Sequence, residues 1–193
     1  MKSQRRIEKL SAAINYTQPD LTIVVENIHD PHNVSAILRT CDAVGVRRIN
    51  LLYNEEKFPK IGKKSSASAY KWIETEKFKS VSDCYKFLRA DGFLIVASVV
   101  SSKSKSLYDL ELTRKVALVF GNEHRGVSAE AASAADVSFQ IPMFGMVQSL
   151  NVSVACAITL FEAVRQRVKS GNFEKHKIVD SEFKKRLDEW ERK

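Results

Sequence analysis

The stretch LTIVVENIHDPHNVSAILRTCDAVGVRRINLL, residues 21–52, decides the fold class. It opens on the continuous apolar run Leu21 to Val25, the pattern of a strand buried on both faces. Asp30-Pro31 then reads as a helix start, with a side chain able to cap the first amides and a ring preset at helical φ. Ile37, Cys41 and Val44 supply that helix's apolar stripe, and Gly45 terminates it. Val46 to Leu52 is read as a second strand. Strand, helix and strand in succession make a crossover unit, whose strands pair in parallel.

The alternation continues outward. A lysine-rich loop and a short segment around Trp72 lead to a helix over Val81 to Ala90, with Cys84, Phe87 and Leu88 facing inward. Phe93 to Val100 and Val116 to Phe120 read as strands, joined by a polar loop of serines and lysines. Ser128 caps a short alanine-rich helix, and Val137 to Ile141 is a further strand. Leu150 to Val168 forms a long helix, apolar nearly all round as far as Val164. Ile7, Leu10 and Ile14 mark a basic amphipathic helix before the first strand, and a charged helix spans roughly Ser181 to Glu191. Such an order predicts an α/β domain around a parallel sheet. In open parallel sheets ligands sit beyond the carboxyl ends of the strands. The polar loops there are Asn27 to Asn33, Gly121 to Ser128 and Pro142 to Asn151.

Composition narrows the function. The 193 residues carry 31 Lys+Arg against 23 Asp+Glu, a net charge of +8 that favours an anionic partner. No apolar run approaches transmembrane length, and MKSQRRIEKL has no apolar stretch after its charges, so neither a membrane span nor a secretory signal is expected. Cys41, Cys84 and Cys156 form no CxxC pair, as suits a reducing cytoplasm. His29 and His32 lack a third ligand pattern, so no metal is expected. No two of the seven glycines are separated by a single residue, which removes the G-x-G dinucleotide fingerprint, and no GxxxxGK[ST] phosphate loop occurs.

Three stretches in the strand-end loops carry a resemblance: DPHNVSAILRTCDAVGV (Asp30 to Val46), LVFGNEHRGVS (Leu118 to Ser128) and IPMFGMVQSLNVSVACAI (Ile141 to Ile158). Together they resemble the three motifs of the SPOUT class of RNA methyltransferases, in its TrmH-type 2′-O branch. QPDL near the start and EAVRQR near the end extend the likeness. The resemblance implies a parallel-sheet α/β fold with a deep C-terminal trefoil knot, a homodimer, and S-adenosylmethionine as cofactor. It divides the chain into a basic helical extension (1–18), the methyltransferase domain (19–168) and a charged helical extension (169–193). Helical extensions at both ends are similar to those of the branch members that methylate guanosine 18 in the tRNA D-loop. A ribosomal-RNA 2′-O-methyltransferase of the same branch, or a non-catalytic RNA-binding module, stays open as an alternative.

Site residues follow from the same motifs. Arg39 matches the catalytic arginine; because a guanidinium stays protonated, stabilising a developing alkoxide or a phosphate-assisted deprotonation is easier for it than acting as base. Asn33 matches the asparagine supporting it, and Glu123 a glutamate that could orient Arg39 or a substrate group. Ser149 precedes the long helix, where it could simply be the N-cap, and Asn151 lies one turn in. The resemblance places the cofactor on Ser98, Val99, Val100, Gly121, Ile141, Met146 and Leu150, mainly through backbone groups. Gly121 and Gly145 suit close backbone approach. RNA contacts are expected from Arg5, Arg6, Arg165, Arg167 and Lys175, with Lys57, Lys60, Lys63 and Lys64 as a further basic cluster. Each such run could equally be an ordinary solvated face.

Overall fold

The computed structural model describes residues 3–59, 69–171 and 179–192. Seven parallel strands form one sheet in the order β3-β2-β1-β6-β4-β7-β5. They are β1 (Leu21–Glu26), β2 (Arg48–Leu52), β3 (Glu74–Phe78), β4 (Leu94–Ser98), β5 (Lys105–Ser106), β6 (Val116–Phe120) and β7 (Val137–Gln140). The helices are α1 (Gln4–Asn15), α2 (Pro31–Ala43), α3 (Val81–Ala90), α4 (Ala129–Ala134), α5 (Val152–Lys169) and α6 (Asp180–Arg192).

The central strands explain why their sequences are apolar without alternation. On β1 and β6 every residue is buried, because both faces of the sheet are covered. Leu21, Ile23 and Val25 join Val116, Leu118 and Phe120 in a core shared with Ile37, Leu38, Cys156 and Leu160 of α2 and α5. Val24, Ala117 and Val119 face the other way, against Cys84, Tyr85 and Leu88 of α3 and Ala131 of α4. Asp30 caps α2 by accepting from the His32 amide, with Pro31 in the first turn, and Gly45 follows at φ +81°. A Cβ at Gly45 would stand 2.1 Å from the Tyr16 carbonyl oxygen, so the turn tolerates glycine alone.

Three expectations need correction. The segment after Trp72 contains a strand, β3, whose ETEKF sequence is exposed at four of its five positions. A charged edge strand carries no apolar period to detect, and its charges discourage further pairing. Two residues of the serine-lysine loop pair with β7 as β5. Phe87 does not face the core; it is 38% exposed, its ring tilted against Phe78 with centroids 5.4 Å apart, while Tyr85 takes the inward position.

Arg167, assigned above to RNA, is the largest correction. Its side chain is 1% exposed, and all its nitrogens are engaged inside the protein. Nε donates to the Leu112 carbonyl (2.9 Å) and one terminal nitrogen to the Arg114 carbonyl (2.7 Å). The other donates to Gln18 Oε1 (3.3 Å) and ion-pairs with Asp20. The QPDL and EAVRQR likenesses thus meet in one buried cluster, joining the end of α5 to the starts of β1 and β6.

The chain's described ends also meet. Leu10 and Ile14 of α1 pack with Trp190 of α6, alongside Trp72, Phe183 and Leu187. Arg47 lies 4.9 Å over the Trp190 ring, pairs with Asp42 and donates to the Ala13 carbonyl (3.4 Å).

Because removing one partner strands a buried charge, Arg167→Ala should lower stability by about 3–5 kcal/mol in urea denaturation. Arg165→Ala, at an exposed neighbour, should shift the urea midpoint far less than Arg167→Ala in the same measurement.

Candidate active site at the carboxyl edge of the sheet

Arg167 fixes the C-terminal end of α5 at the amino edge of the sheet, so its N-terminus points to the carboxyl edge. There the turns after β4, β6 and β7 and the start of α5 converge around a cleft of about 390 Å³. Its lining includes Ser98, Val99, Val100, Gly121, Ile141 and Leu150, six of the seven residues expected around the cofactor. Glu123, Ser149 and Asn151 line it too. Met146 does not; it stands 99% exposed, and Met143 lines the cleft instead.

A chain of hydrogen bonds crosses the site. Glu123 Oε1 accepts from Asn33 Nδ2 (2.8 Å) and the Asp30 amide (3.1 Å), and Oε2 accepts from the His29 amide (2.9 Å). Asn33 Oδ1 in turn accepts from Asn151 Nδ2 (3.1 Å). Asn151 Oδ1 accepts from the Ser153 amide (2.8 Å) and hydroxyl (2.6 Å). Asn151 is therefore the N-cap of α5, not a residue one turn in, and Ser149 is not the cap. The cap shifted because Asn151 can close the helix and reach Asn33 with the two ends of one amide.

Glu123 itself is held on a rigid turn. Asn122 and Gly126 exchange backbone hydrogen bonds (3.0 and 2.8 Å), and Asn122 Oδ1 accepts from the His124 amide at 2.9 Å. Asn122 Nδ2 donates to the Asn27 carbonyl (2.7 Å). Asn27 is the one non-glycine residue among those described with positive φ (+49°), a conformation asparagine accepts. Gly121 is required by this turn: a Cβ there would lie 2.1 Å from the Gly126 carbonyl. A Cβ on Gly145 would meet nothing within 4 Å, so close approach to protein does not explain that glycine. Asn27 and Asn122 escaped the sequence reading, though the Asn before GluHisArgGly is a recognisable side-chain-to-backbone turn former.

Burial of the Glu123 carboxyl opposes its ionisation, but hydrogen bonds from Asn33 and the backbone amides of His29, Glu123 and Asp30 outweigh that and lower its pKa. Arg39 stands exposed on α2, and among the described residues no carboxylate lies within ion-pairing distance of it. Six residues beyond Asn33, it lies about 9 Å further along the helix. Glu123 accordingly orients Asn33, and of the two roles it could take, orienting Arg39 or a substrate group, the first is not made through direct contact.

At the mouth, Arg125 pairs with Glu55 (2.9 Å) and Glu56 (3.2 Å), and His29 faces Glu56 at 3.5 Å. Among the described residues no group of three or more His, Cys, Asp or Glu side chains is placed to hold a metal ion. Arg5 and Arg6 are exposed on α1, and Arg165 is exposed but bound in a two-bond pair with Glu162 (both 2.7 Å). Lys175, Lys60, Lys63 and Lys64 lie outside the described residues.

The chain belongs to the SpoU rRNA Methylase family, whose pattern matches residues 20–161. It is 39% identical over 192 residues to the tRNA (guanosine(18)-2′-O)-methyltransferase of Thermus thermophilus, covering 100% of this chain and 98% of that protein. Its fold superimposes on the A. aeolicus TrmH/SpoU tRNA modifying enzyme with a TM-score of 0.89 at 38% identity, covering 97% of this chain and 95% of that one. An AdoMet-bound rRNA methyltransferase from Sinorhizobium meliloti gives a TM-score of 0.70 at 28% identity, covering 81% of this chain and 59% of that one.

A carboxylate whose pKa is lowered on folding contributes stability above its unfolded pKa and loses it as pH falls through the folded value. Wild type should therefore exceed Glu123→Gln in stability at neutral pH, and the gap should close on acidification through the carboxylate range. Urea denaturation of both proteins across that range checks it.

Proposed function

We propose that the protein transfers the methyl group of S-adenosylmethionine to the ribose 2′-hydroxyl of a tRNA guanosine, guanosine 18 of the D-loop. The observation that carries this reading is the Glu123–Asn33–Asn151 array set on the wall of the cleft. Similarity to the T. thermophilus tRNA enzyme runs the length of both chains and takes in α1 and α6, which supports tRNA over ribosomal RNA. The segments that carry those helices, 1–18 and 169–193, are read as extensions flanking the methyltransferase domain, 19–168.

The cleft fits the cofactor. Its volume lies in the range of small-molecule sites, and its lining mixes apolar side chains such as Val99, Ile141 and Leu150 with polar ones such as Ser98, Gln140 and Ser149. Ser98, Val99, Val100, Gly121, Ile141 and Leu150 would hold the cofactor, which supplies an electrophilic methyl group. Asn33 and Asn151, each oriented by two partners, can present amide groups to a ribose without reorganising. Ser149 adds a hydroxyl to the same wall. Among the described residues no carboxylate pairs with Arg39, which is exposed and so available to an RNA phosphate and to the oxygen that gains charge as the hydroxyl proton leaves.

Two finer features belong to the same reading. The order β1-β6-β4-β7 takes the chain from β4 back into the place beside β1 and then across β4 again, a path that supports the C-terminal trefoil knot. A homodimer accounts for the exposed apolar residues Phe144, Met146 and Val147 and for Val154 and Phe161 on α5. Three unpaired buried thiols accord with a cytoplasmic location. Among the described residues, no helix is long and apolar enough to cross a membrane.

The test is incubation with labelled S-adenosylmethionine and unmodified tRNA transcripts, with mass-spectrometric mapping of the 2′-O-methyl group. A methyl on guanosine 18 is expected; one on ribosomal RNA alone would overturn the substrate. Arg39→Ala should still bind tRNA while turnover falls about 10²–10³-fold. Phe161→Asp should convert the sedimenting species from dimer to monomer.

A further inference from the structure

Glu26 closes β1 and is 1% exposed, yet it takes no part in the network around Glu123. Its Oε2 accepts the Ser128 amide at 3.0 Å, across 102 residues of chain. Its Oε1 is buried without a hydrogen-bond partner among the described residues. A buried carboxylate with so little compensation costs stability, and a neutral acceptor would satisfy one backbone N–H at smaller expense.

The place it holds is informative. Phe120 to Val127 form a continuous wall of the cleft. The near end of this wall is set by pairing of Phe120 with Val25 in the sheet. Its middle is set by Asn122 on the Asn27 carbonyl and by Glu123 on Asn33. At the far end, Ser128 receives Glu26 on its amide while its hydroxyl caps α4 through the Ala131 amide (3.1 Å). Adjacent residues of one strand end, Glu26 and Asn27, thus grip the wall at two points.

We infer that Glu26 is a positioning residue, setting the Gly121–Ser128 wall at the separation from β4 and α5 that cofactor binding needs. The inference rests on the reading of the cleft as the cofactor site. Only an acceptor carried at the full length of a Glu or Gln side chain reaches the Ser128 amide from this strand end, which suits a clamp. Its effect falls on affinity for S-adenosylmethionine and not on the groups that meet the ribose.

The experiment compares Glu26→Ala, Glu26→Asp and Glu26→Gln with wild type by calorimetric titration of S-adenosylmethionine, tRNA binding, and kcat at saturating cofactor. The Ala and Asp variants, which cannot reach Ser128, should bind S-adenosylmethionine about tenfold or more weakly, with kcat within about threefold and tRNA affinity unchanged. Gln, which retains the acceptor at full length, should restore cofactor affinity to within about threefold of wild type. Should Glu26→Ala fail to fold, the contrast between Asp and Gln decides. Wild-type cofactor affinity in Asp, or equal loss in Asp and Gln, overturns the inference. A wild-type protein that binds no S-adenosylmethionine overturns the assignment of the cleft, and this inference with it.

Discussion

The Arg167 guanidinium is the constraint on which the arrangement of this protein depends. Its nitrogens gather Gln18 and Asp20 ahead of β1, and the Leu112 and Arg114 carbonyls ahead of β6. With Arg167 itself these groups come from three separated parts of the chain, and together they satisfy a guanidinium that is 1% exposed. The same contact anchors one end of α5, an 18-residue helix about 27 Å long, so where its other end falls is no longer free. Asn151 meets Asn33 because Arg167 meets Asp20.

The carboxyl edge shows the complementary arrangement, many short-range restraints around an open volume. Glu123 is ionised against its own burial because four donors surround it. It spends that charge on fixing Asn33 and the entry to α2. Asn33 and Asn151 are then each left with a single orientation, since reversing either amide would set donor against donor or acceptor against acceptor. The polar groups around the cleft are thus preorganised by the fold, which is the condition for electrostatic stabilisation without reorganisation.

Much of this was legible in the residues. Val116–Phe120 is apolar throughout because it is the sheet's middle strand, and continuous burial is the loudest signal a strand can give. Asp30-Pro31 and Gly45 marked α2 through local chemistry that needs no tertiary context. What stayed hidden is what only the third dimension decides. ETEKF has no apolar face to betray β3, and Arg167 in EAVRQR looks no different from its exposed neighbour Arg165. A basic run does not say which of its members turns inward. The three motifs located the cleft, yet the identity of the α5 cap depended on Asn33 being within reach, a contact across 118 residues.

The union of α1 with α6 has a temporal side. The apolar face of α1, with Leu10 and Ile14, is covered by Trp190 and its neighbours, and Arg47 is sealed beneath the same ring. During synthesis on the ribosome, α1 emerges long before the residues that cover it. Until α6 arrives, the nascent chain presents an uncovered hydrophobic stripe beside cationic Arg5, Arg6 and Lys9. The amino edge of the sheet is under the same delay, since Arg167 joins Asp20 late. Folding of this protein is therefore completed from its carboxyl side, and a ribosome stalled before residue 167 would hold a chain with neither clasp closed.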